Sequence, residues 1–141
     1  APVDGVADAR RVQETCGDLV AFIRSLPFVY ETEHYIFVHA GLDLTLPDWH
    51  ETTDYQKVWI RQPFHEATNL TGKTIVFGHT PVHYLLDQKI GTKKLWVTED
   101  GKIGMDGGAV YGGVLHGILF DESGMKADVA LLNEGFAAID D

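Results

Sequence analysis

The sequence has one cysteine and no long hydrophobic run. Because Cys16 stands alone, no internal disulfide can form, which favours a reducing compartment over secretion. No apolar stretch approaches the ~20 residues that a membrane helix requires, and residues 1–15 lack the basic start and apolar centre of a signal peptide. From these absences we expect a soluble, cytoplasmic protein that does not associate with a membrane.

Basic residues are also scarce, which bears on possible partners. The chain has 11 Lys and Arg against 21 Asp and Glu, for a formal net charge of -10. Nucleic acids are held mainly by Lys and Arg, so no general affinity for nucleic acid is expected, whereas a local cation site remains compatible with this charge. With 141 residues, 45% of them hydrophobic, the chain is expected to form a single structural unit over residues 1–141.

The pattern of apolar residues predicts an α/β protein. Apolar residues recur at helical spacing from Ala7 to Ser25 and predict one amphipathic helix. Residues 41–72 predict a long functional loop with a short helix in "DYQKVWIRQPF", and the tail from Gly135 is expected to be frayed. About six strands are predicted: residues 28–31 and 34–39, "KTIVFG", a hairpin around Asp100-Gly101, and two strands joined by a turn at 121–124.

Several of these strands are apolar on both faces, as in a mixed sheet or sandwich with helical cover. Only one long helix is predicted, so part of that cover is expected to come from another segment.

Two of the strand patterns end in a histidine near glycine. "YIFVHAGL" leads to His39, and "TIVFGHTP" leads to His79. Ligand sites of open α/β sheets lie at the carboxyl ends of strands, and a neighbouring glycine allows a sharp turn and close approach of a ligand. Neutral imidazole is a common ligand of divalent metals. Spacing alone leaves two interpretations open, metal ligands or ordinary turn histidines.

Four segments occur in a suggestive order, "IFVHAGL", "VWIRQPF", "IVFGHTPV" and "GMDGGAVYGG". In this order and at these separations they resemble the carboxyl-terminal half of bacterial metallophosphoesterases of the phosphoprotein phosphatase type, relatives of the symmetrical diadenosine tetraphosphatases. The resemblance spans about residues 18–121. It implies the carboxyl-terminal part of a calcineurin-like domain, a four-layer α/β/β/α sandwich with mixed β-sheets.

The same resemblance implies roles for three residues. His39 and His79 would bind one ion of a dinuclear centre of divalent metal ions, of Mn or Fe/Zn type, and Arg61 would contact the substrate phosphate. Two ions held ~3.5–4 Å apart can polarise a phosphoryl oxygen and activate a bridging water. An arginine fork suits the spread charge of a phosphoryl group better than lysine does, because it forms bidentate hydrogen bonds.

The sequence also departs from this family. The amino-terminal motifs that supply the remaining metal ligands and the general acid, GDxHG, GDxxDRG and GNHE, do not occur, and "CGDLVAF" lies within the predicted helix without the His-Gly. Two imidazoles do not hold a catalytic dinuclear centre, which usually also requires carboxylates. The chain is therefore expected to be a fragment, either a proteolysed or truncated half or one piece of a protein whose other half is a separate chain. It is expected to be weak or inactive alone, with the missing amino-terminal half or a second copy as its partner.

The favoured function is metal-dependent hydrolysis of phosphoesters by the parent protein, with phosphoserine or phosphothreonine protein as substrate. A symmetrical bis(5'-nucleosyl)-tetraphosphatase is the alternative within enzymes, since "FGHTPV" and "DGGAVYGG" have close counterparts there. If the protein is not an enzyme, the alternative is a non-catalytic binding or regulatory module that keeps the sheet. A single histidine-based structural metal site is a further option.

Other residues have two readings each. Asp106 is either an outer partner that orients a metal-bound histidine or a turn aspartate that bonds its own backbone, and Thr80 is expected to fix the turn at His79. Tyr111 is expected to be a half-buried core residue, with a place beside the substrate site, which the resemblance suggests for aromatic residues of this loop, as the alternative. The tryptophans are expected to be packing anchors, Trp59 also bracing Arg61. The remaining histidines are expected to be surface or core residues: His34, His50, His65, His83 and His116.

Overall fold

The computed structural model describes residues 5–133 and begins with two helices, α1 (Gly5–Thr15) and α2 (Gly17–Ser25). The prediction of one continuous helix from Ala7 to Ser25 is wrong, because the backbone leaves helical geometry at Cys16, with φ -131° and ψ 27°. The residue that follows is glycine, which is a poor helix former. Neither helix buries a side chain within residues 5–133. Neither these nor the shorter helices of that range have the length and apolarity to cross a bilayer.

A five-stranded mixed sheet forms the centre of the protein. Strands β2 (Tyr35–Val38), β3 (Thr74–Phe77) and β5 (Lys102–Gly104) are parallel neighbours, and antiparallel strands β1 (Val29–Glu31) and β4 (Trp96–Val97) lie at the edges. The order across the sheet is β1-β2-β3-β5-β4. The prediction of an α/β protein with a mixed sheet is therefore confirmed.

Two further strands form a separate hairpin, β6 (Val114–Asp121) and β7 (Gly124–Leu132). Both predicted hairpins are confirmed, this one and β4–β5 around Asp100-Gly101. The structure thus describes seven strands between residues 5 and 133, one in each strand segment predicted from the sequence, while the predicted fraying from Gly135 lies outside the described residues. One side of the hairpin packs Ile118 and Phe120 against the sheet. Its other side exposes apolar residues, Leu115, Leu119, Val129 and Leu131.

The opposite face of the sheet carries the larger core. Ile36, Ile75 and Phe77 are buried there against Leu42 and Phe64, which come from the long segment between β2 and β3. Burying side chains of this size stabilises the fold by about 1.5–3 kcal/mol each.

The segment between β2 and β3 contains helical structure. It contains a 3₁₀ turn (Trp49–Glu51) and the predicted short helix, α3 (Asp54–Trp59), which begins with a capping box between Thr53 and Gln56. Helix α4 (Val82–Leu85) and a 3₁₀ turn (Ala109–Tyr111) were not expected.

Candidate metal and phosphate site

The parallel pairing of β2 with β3 brings the two histidines together. Val38 lies opposite Phe77 in register, so both strands end at the same edge of the sheet. His39 and His79 follow these ends, and their ring centroids are 5.1 Å apart. The amide of Gly78 donates a hydrogen bond to the carbonyl oxygen of His39 at 2.8 Å, which ties the two strand ends together. The structure therefore places both histidines as neighbours at the strand tips.

His79 sits in a tight turn with an unusual backbone. Its φ is +64°, and the amide of Thr80 donates to the carbonyl oxygen of Gly78 at 2.6 Å across it. Such conformations are uncommon for residues other than glycine and cluster at functional sites. The Nε2 atom of His79 is buried and has no hydrogen-bond partner among residues 5–133. The turn thus presents a ring whose nitrogen is free to bind a ligand.

Arg61 completes the site beside the histidines. It follows α3 and lines a cavity of about 590 Å³ together with His39 and His79. Its guanidinium has no hydrogen-bond or ion-pair partner in the part of the chain that the structure describes, residues 5–133, so its five donors are available to an anion. The remaining lining residues are Thr80, Pro81, Tyr84, Asp106, Val110 and Tyr111.

Two aromatic residues differ from expectation. Trp59 is 58% exposed rather than a buried anchor, and its ring stands edge-on to His79 with centroids 5.3 Å apart. Tyr111 is 64% exposed and lines the cavity instead of packing in the core. Trp49 and Trp96 do pack against the core, as expected. Both errors have one cause, since an aromatic side chain beside a ligand site has the same sequence signature as one inside a core.

Asp106 and Thr80 both border the cavity. The carboxylate of Asp106 accepts a hydrogen bond from the amide of Gly108 at 2.9 Å, which is the turn role considered for it. Thr80 is 6% exposed, and its Oγ1 has no partner among residues 5–133. Buried polar groups are nearly always satisfied, so an orphaned hydroxyl beside His79 is a further sign of a missing ligand.

The environment keeps His79 neutral. Burial lowers the pKa of its imidazole, and the positive charges of His39 and Arg61 lower it further, while Asp106 acts in the opposite direction. The neutral ring is the form that binds metals.

The two imidazoles therefore fit a borderline divalent ion. They do not make a complete site, because residues 5–133 contain no group of three or more His, Cys, Asp or Glu positioned around one ion.

His65 lies behind the site, and no sequence motif marked it. Its side chain is half-buried, and its Nε2 has no hydrogen-bond partner within residues 5–133. Burial lowers the pKa of His65, and the charges of Lys102 and Arg61, with that of His79 when it is protonated, lower it further. The remaining histidines are core or surface residues as expected, and His116 is buried with Nδ1 2.9 Å from Asp128.

The lowered pKa of His65 predicts a pH dependence of stability. The unfolded chain takes up a proton near the ordinary value of 6.5, before the folded chain does, so the free energy of unfolding should fall as the pH drops below about 6.5. His65→Asn should flatten this decline in urea unfolding between about pH 7 and 5.

His50→Asn serves as the control for this prediction. The pKa of His50 is raised because its side chain hydrogen-bonds to Asp48, so its contribution has the opposite sign, and the group is exposed. An equal slope in wild type and His65→Asn would show that His65 does not couple protonation to folding.

Comparisons with known proteins identify no relative. No protein-family model matches the chain, and no curated protein matches it.

Proposed function

We propose that this chain contributes two metal-binding imidazoles and a phosphate-binding guanidinium to a metal-dependent phosphoesterase. His39 and His79 are the ligands of one ion, and Arg61 binds the phosphoryl group. The observation that carries this proposal is the convergence of three distant motif residues on one cavity, with the histidine rings 5.1 Å apart. The mixed sheet and the separate hairpin are compatible with one part of a four-layer calcineurin-like sandwich, which we propose as the complete architecture.

The residues of the chain have separate tasks in this reaction. Divalent ions, when bound, would polarise a phosphoryl oxygen and activate water for attack. The guanidinium of Arg61 would donate two parallel hydrogen bonds to phosphoryl oxygens and offset the charge that develops there. The edge-on ring of Trp59 limits rotation of the His79 imidazole. Thr80 has a free hydroxyl beside that histidine with which to bind an oxygen ligand.

A phosphorylated protein side chain is the substrate class that we favour. His39, Arg61, Tyr84 and Tyr111 are all exposed at the cavity, so the phosphate site is reachable from a protein surface. The phosphate of phosphoserine or phosphothreonine projects from its backbone on a short side chain and suits such an open site. A symmetrical dinucleoside polyphosphate is the competing substrate.

We further propose that the catalytic centre is completed by carboxylates from a second polypeptide segment, either a separate chain or a second copy. This follows from the ligand set, since a dinuclear centre needs several bridging and terminal carboxylates, whereas Asp106 is the one carboxylate among residues 5–133 that lines the cavity and those residues contain no group of three or more His, Cys, Asp or Glu that could hold an ion. The chain alone is then expected to bind a divalent ion weakly and to show little turnover.

Binding measurements on the purified chain test this assignment. Mn²⁺ affinity should fall by at least ~10-fold in His39→Ala and in His79→Ala, since each change removes a ligand. Arg61→Ala should leave Mn²⁺ affinity unchanged but weaken binding of inorganic phosphate by about 10-fold or more, the loss expected for charge-assisted hydrogen bonds.

His34→Ala is the matched control, because His34 is exposed and lies outside the cavity. Unchanged Mn²⁺ affinity in both site variants would refute the metal assignment. Hydrolysis of a phosphoserine peptide and of diadenosine tetraphosphate, measured side by side with Mn²⁺ and the parent protein, would then separate the two substrate classes.

A further inference from the structure

A buried lysine lies directly behind the arginine of the site. Lys102 is in β5, opposite Ile75 in register, and is only 2% exposed. Its Nζ donates hydrogen bonds to the carbonyl oxygens of Ala67 at 2.6 Å, His65 at 3.2 Å and Phe64 at 3.4 Å. All three carbonyls belong to the turn that follows Arg61. No sequence pattern indicated this burial, because a lysine in a short strand normally faces solvent.

The surroundings of Lys102 explain how the charge is tolerated. A buried ammonium is costly unless its donors are satisfied, and here three carbonyl oxygens satisfy them. The nearest carboxylate, Asp100, lies 3.5 Å away. The aromatic rings of Phe64 and Trp96 each have their centroid 5.8 Å from Nζ and add favourable cation–π contacts. The lysine is therefore held both by the backbone carbonyls of the turn and by an ion pair with Asp100.

The turn that Lys102 holds is connected to Arg61 by backbone hydrogen bonds. The amide of His65 donates to the carbonyl oxygen of Arg61 at 3.1 Å, and the amide of Ala67 donates to that of Pro63 at 2.9 Å. The guanidinium of Arg61 has no partner of its own within residues 5–133. The backbone of residues 61–67 therefore sets the point from which the Arg61 side chain extends, and Lys102 fastens that backbone to the sheet.

We infer that Lys102 is a positioning residue for Arg61, because its buried ammonium gathers the carbonyls of residues 64–67 and so fixes the place from which the guanidinium reaches the phosphate. This inference rests on the proposed function for the identity of the anion. Removing the ammonium also leaves Asp100 and three carbonyl oxygens without their donor, so a loss of stability alone does not show positioning, and phosphate binding is the measurement that does.

The test compares Lys102→Met with Arg61→Ala and with the double variant. Methionine fills much of the same volume but donates no hydrogen bond. Lys102→Met should shift the backbone ¹H–¹⁵N resonances of residues 61–67 and weaken inorganic phosphate binding to within about two-fold of Arg61→Ala. The double variant should weaken it no further, because both changes remove the same interaction. Mn²⁺ affinity should not change, since His39 and His79 follow the ends of β2 and β3 and do not contact Lys102.

Lys73→Met is the matched control. Lys73 is also partly buried, and its Nζ donates to the carbonyl oxygen of Thr32 at 2.5 Å and pairs with Glu31 at 2.7 Å, outside the cavity. This change should leave phosphate affinity and the resonances of residues 61–67 unaltered. Lys102→Arg retains the charge and the donors and should keep most of the phosphate affinity.

Each outcome separates this inference from the proposed function. Wild-type phosphate affinity in Lys102→Met, with weakened binding in Arg61→Ala, would overturn the inference and leave the function standing. Unchanged phosphate affinity in Arg61→Ala would overturn the proposed function, and the resonances of residues 61–67 would still decide whether Lys102 positions the turn. If Lys102→Met fails to fold, Lys102→Gln replaces it in the test, because glutamine keeps a donor but is shorter. The same two measurements apply to it, the phosphate affinity and the resonances of residues 61–67.

Discussion

Gly41→Ala should lower the free energy of unfolding by about 3 kcal/mol or more, one of the largest effects that we expect from a single methyl group. A Cβ atom at position 41 would lie 2.3 Å from Cδ1 of Phe64. Phe64 cannot retreat, because it is fully buried and stands edge-on to Phe77 with centroids 4.9 Å apart. The φ of +150° at Gly41 adds backbone strain for any other residue. Urea unfolding measures the loss.

Gly72→Ala separates strain from collision. Gly72 also has a positive φ, +74°, but a Cβ there would meet no atom within 4 Å, so its cost should be about 1–2 kcal/mol. Adding Phe64→Leu to Gly41→Ala should recover part of the lost stability, because the smaller side chain relieves the contact. Equal costs for the two glycine variants would show that Phe64 yields to the methyl group.

Strands and hairpins could be predicted because their signals are local. Asp100-Gly101 favours a tight hairpin, and Gly101 indeed has a φ of +86° between β4 and β5. The apolar runs leading to His39 and His79 are short and buried, as parallel strands require. That His39 and His79 are neighbours, by contrast, is not determined by the residues next to them in the sequence. It depends on the crossover that sets β3 beside β2, and the motif resemblance rather than the periodicity pointed to it.

The remaining errors concern contacts between distant segments. Apolar spacing runs unbroken through Cys16, so the pattern could not show that the helix is interrupted there. The exposure of Trp59 and Tyr111 depends on the cavity they border. Lys102 is buried only because the turn after Arg61 offers it three carbonyl oxygens. The exposure of Trp59 and Tyr111 and the burial of Lys102 are not present in a window of neighbouring residues, whereas the interruption at Cys16 has a local signal in Gly17.

A loop closes the site from the other side. Residues 106–113 bring Asp106, Val110 and Tyr111 to the cavity. The loop is closed at its base by two hydrogen bonds of 2.9 Å, from the amide of Gly113 to the carbonyl oxygen of Gly108 and from the amide of Val114 to that of Gly107. The backbones can approach this closely because there is no side chain between them.

Gly113→Ala should therefore destabilise the protein by about 3 kcal/mol or more and open the base of this loop, since overpacking against backbone leaves nothing that can yield. A Cβ at position 113 would lie 2.1 Å from the carbonyl oxygen of Gly107 and 2.8 Å from that of Gly108. Urea unfolding measures the stability, and faster hydrogen exchange at the Val114 amide reports the opening.

Gly117→Ala is the internal control for that change. Gly117 is in β6 of the same hairpin, and a Cβ there meets no atom within 4 Å, so alanine should be neutral or stabilise by up to about 1 kcal/mol. The opposite result is that Gly113→Ala and Gly117→Ala show the same free energy of unfolding and the same hydrogen exchange at the Val114 amide. That result would contradict the prediction, since Asp106 and Tyr111 would then be held at the cavity by something other than the close contact of the two backbone segments. If only Gly113→Ala is destabilised, the paired glycines of "DGGAVYGG" are explained by loop closure, apart from any part they play in binding phosphate.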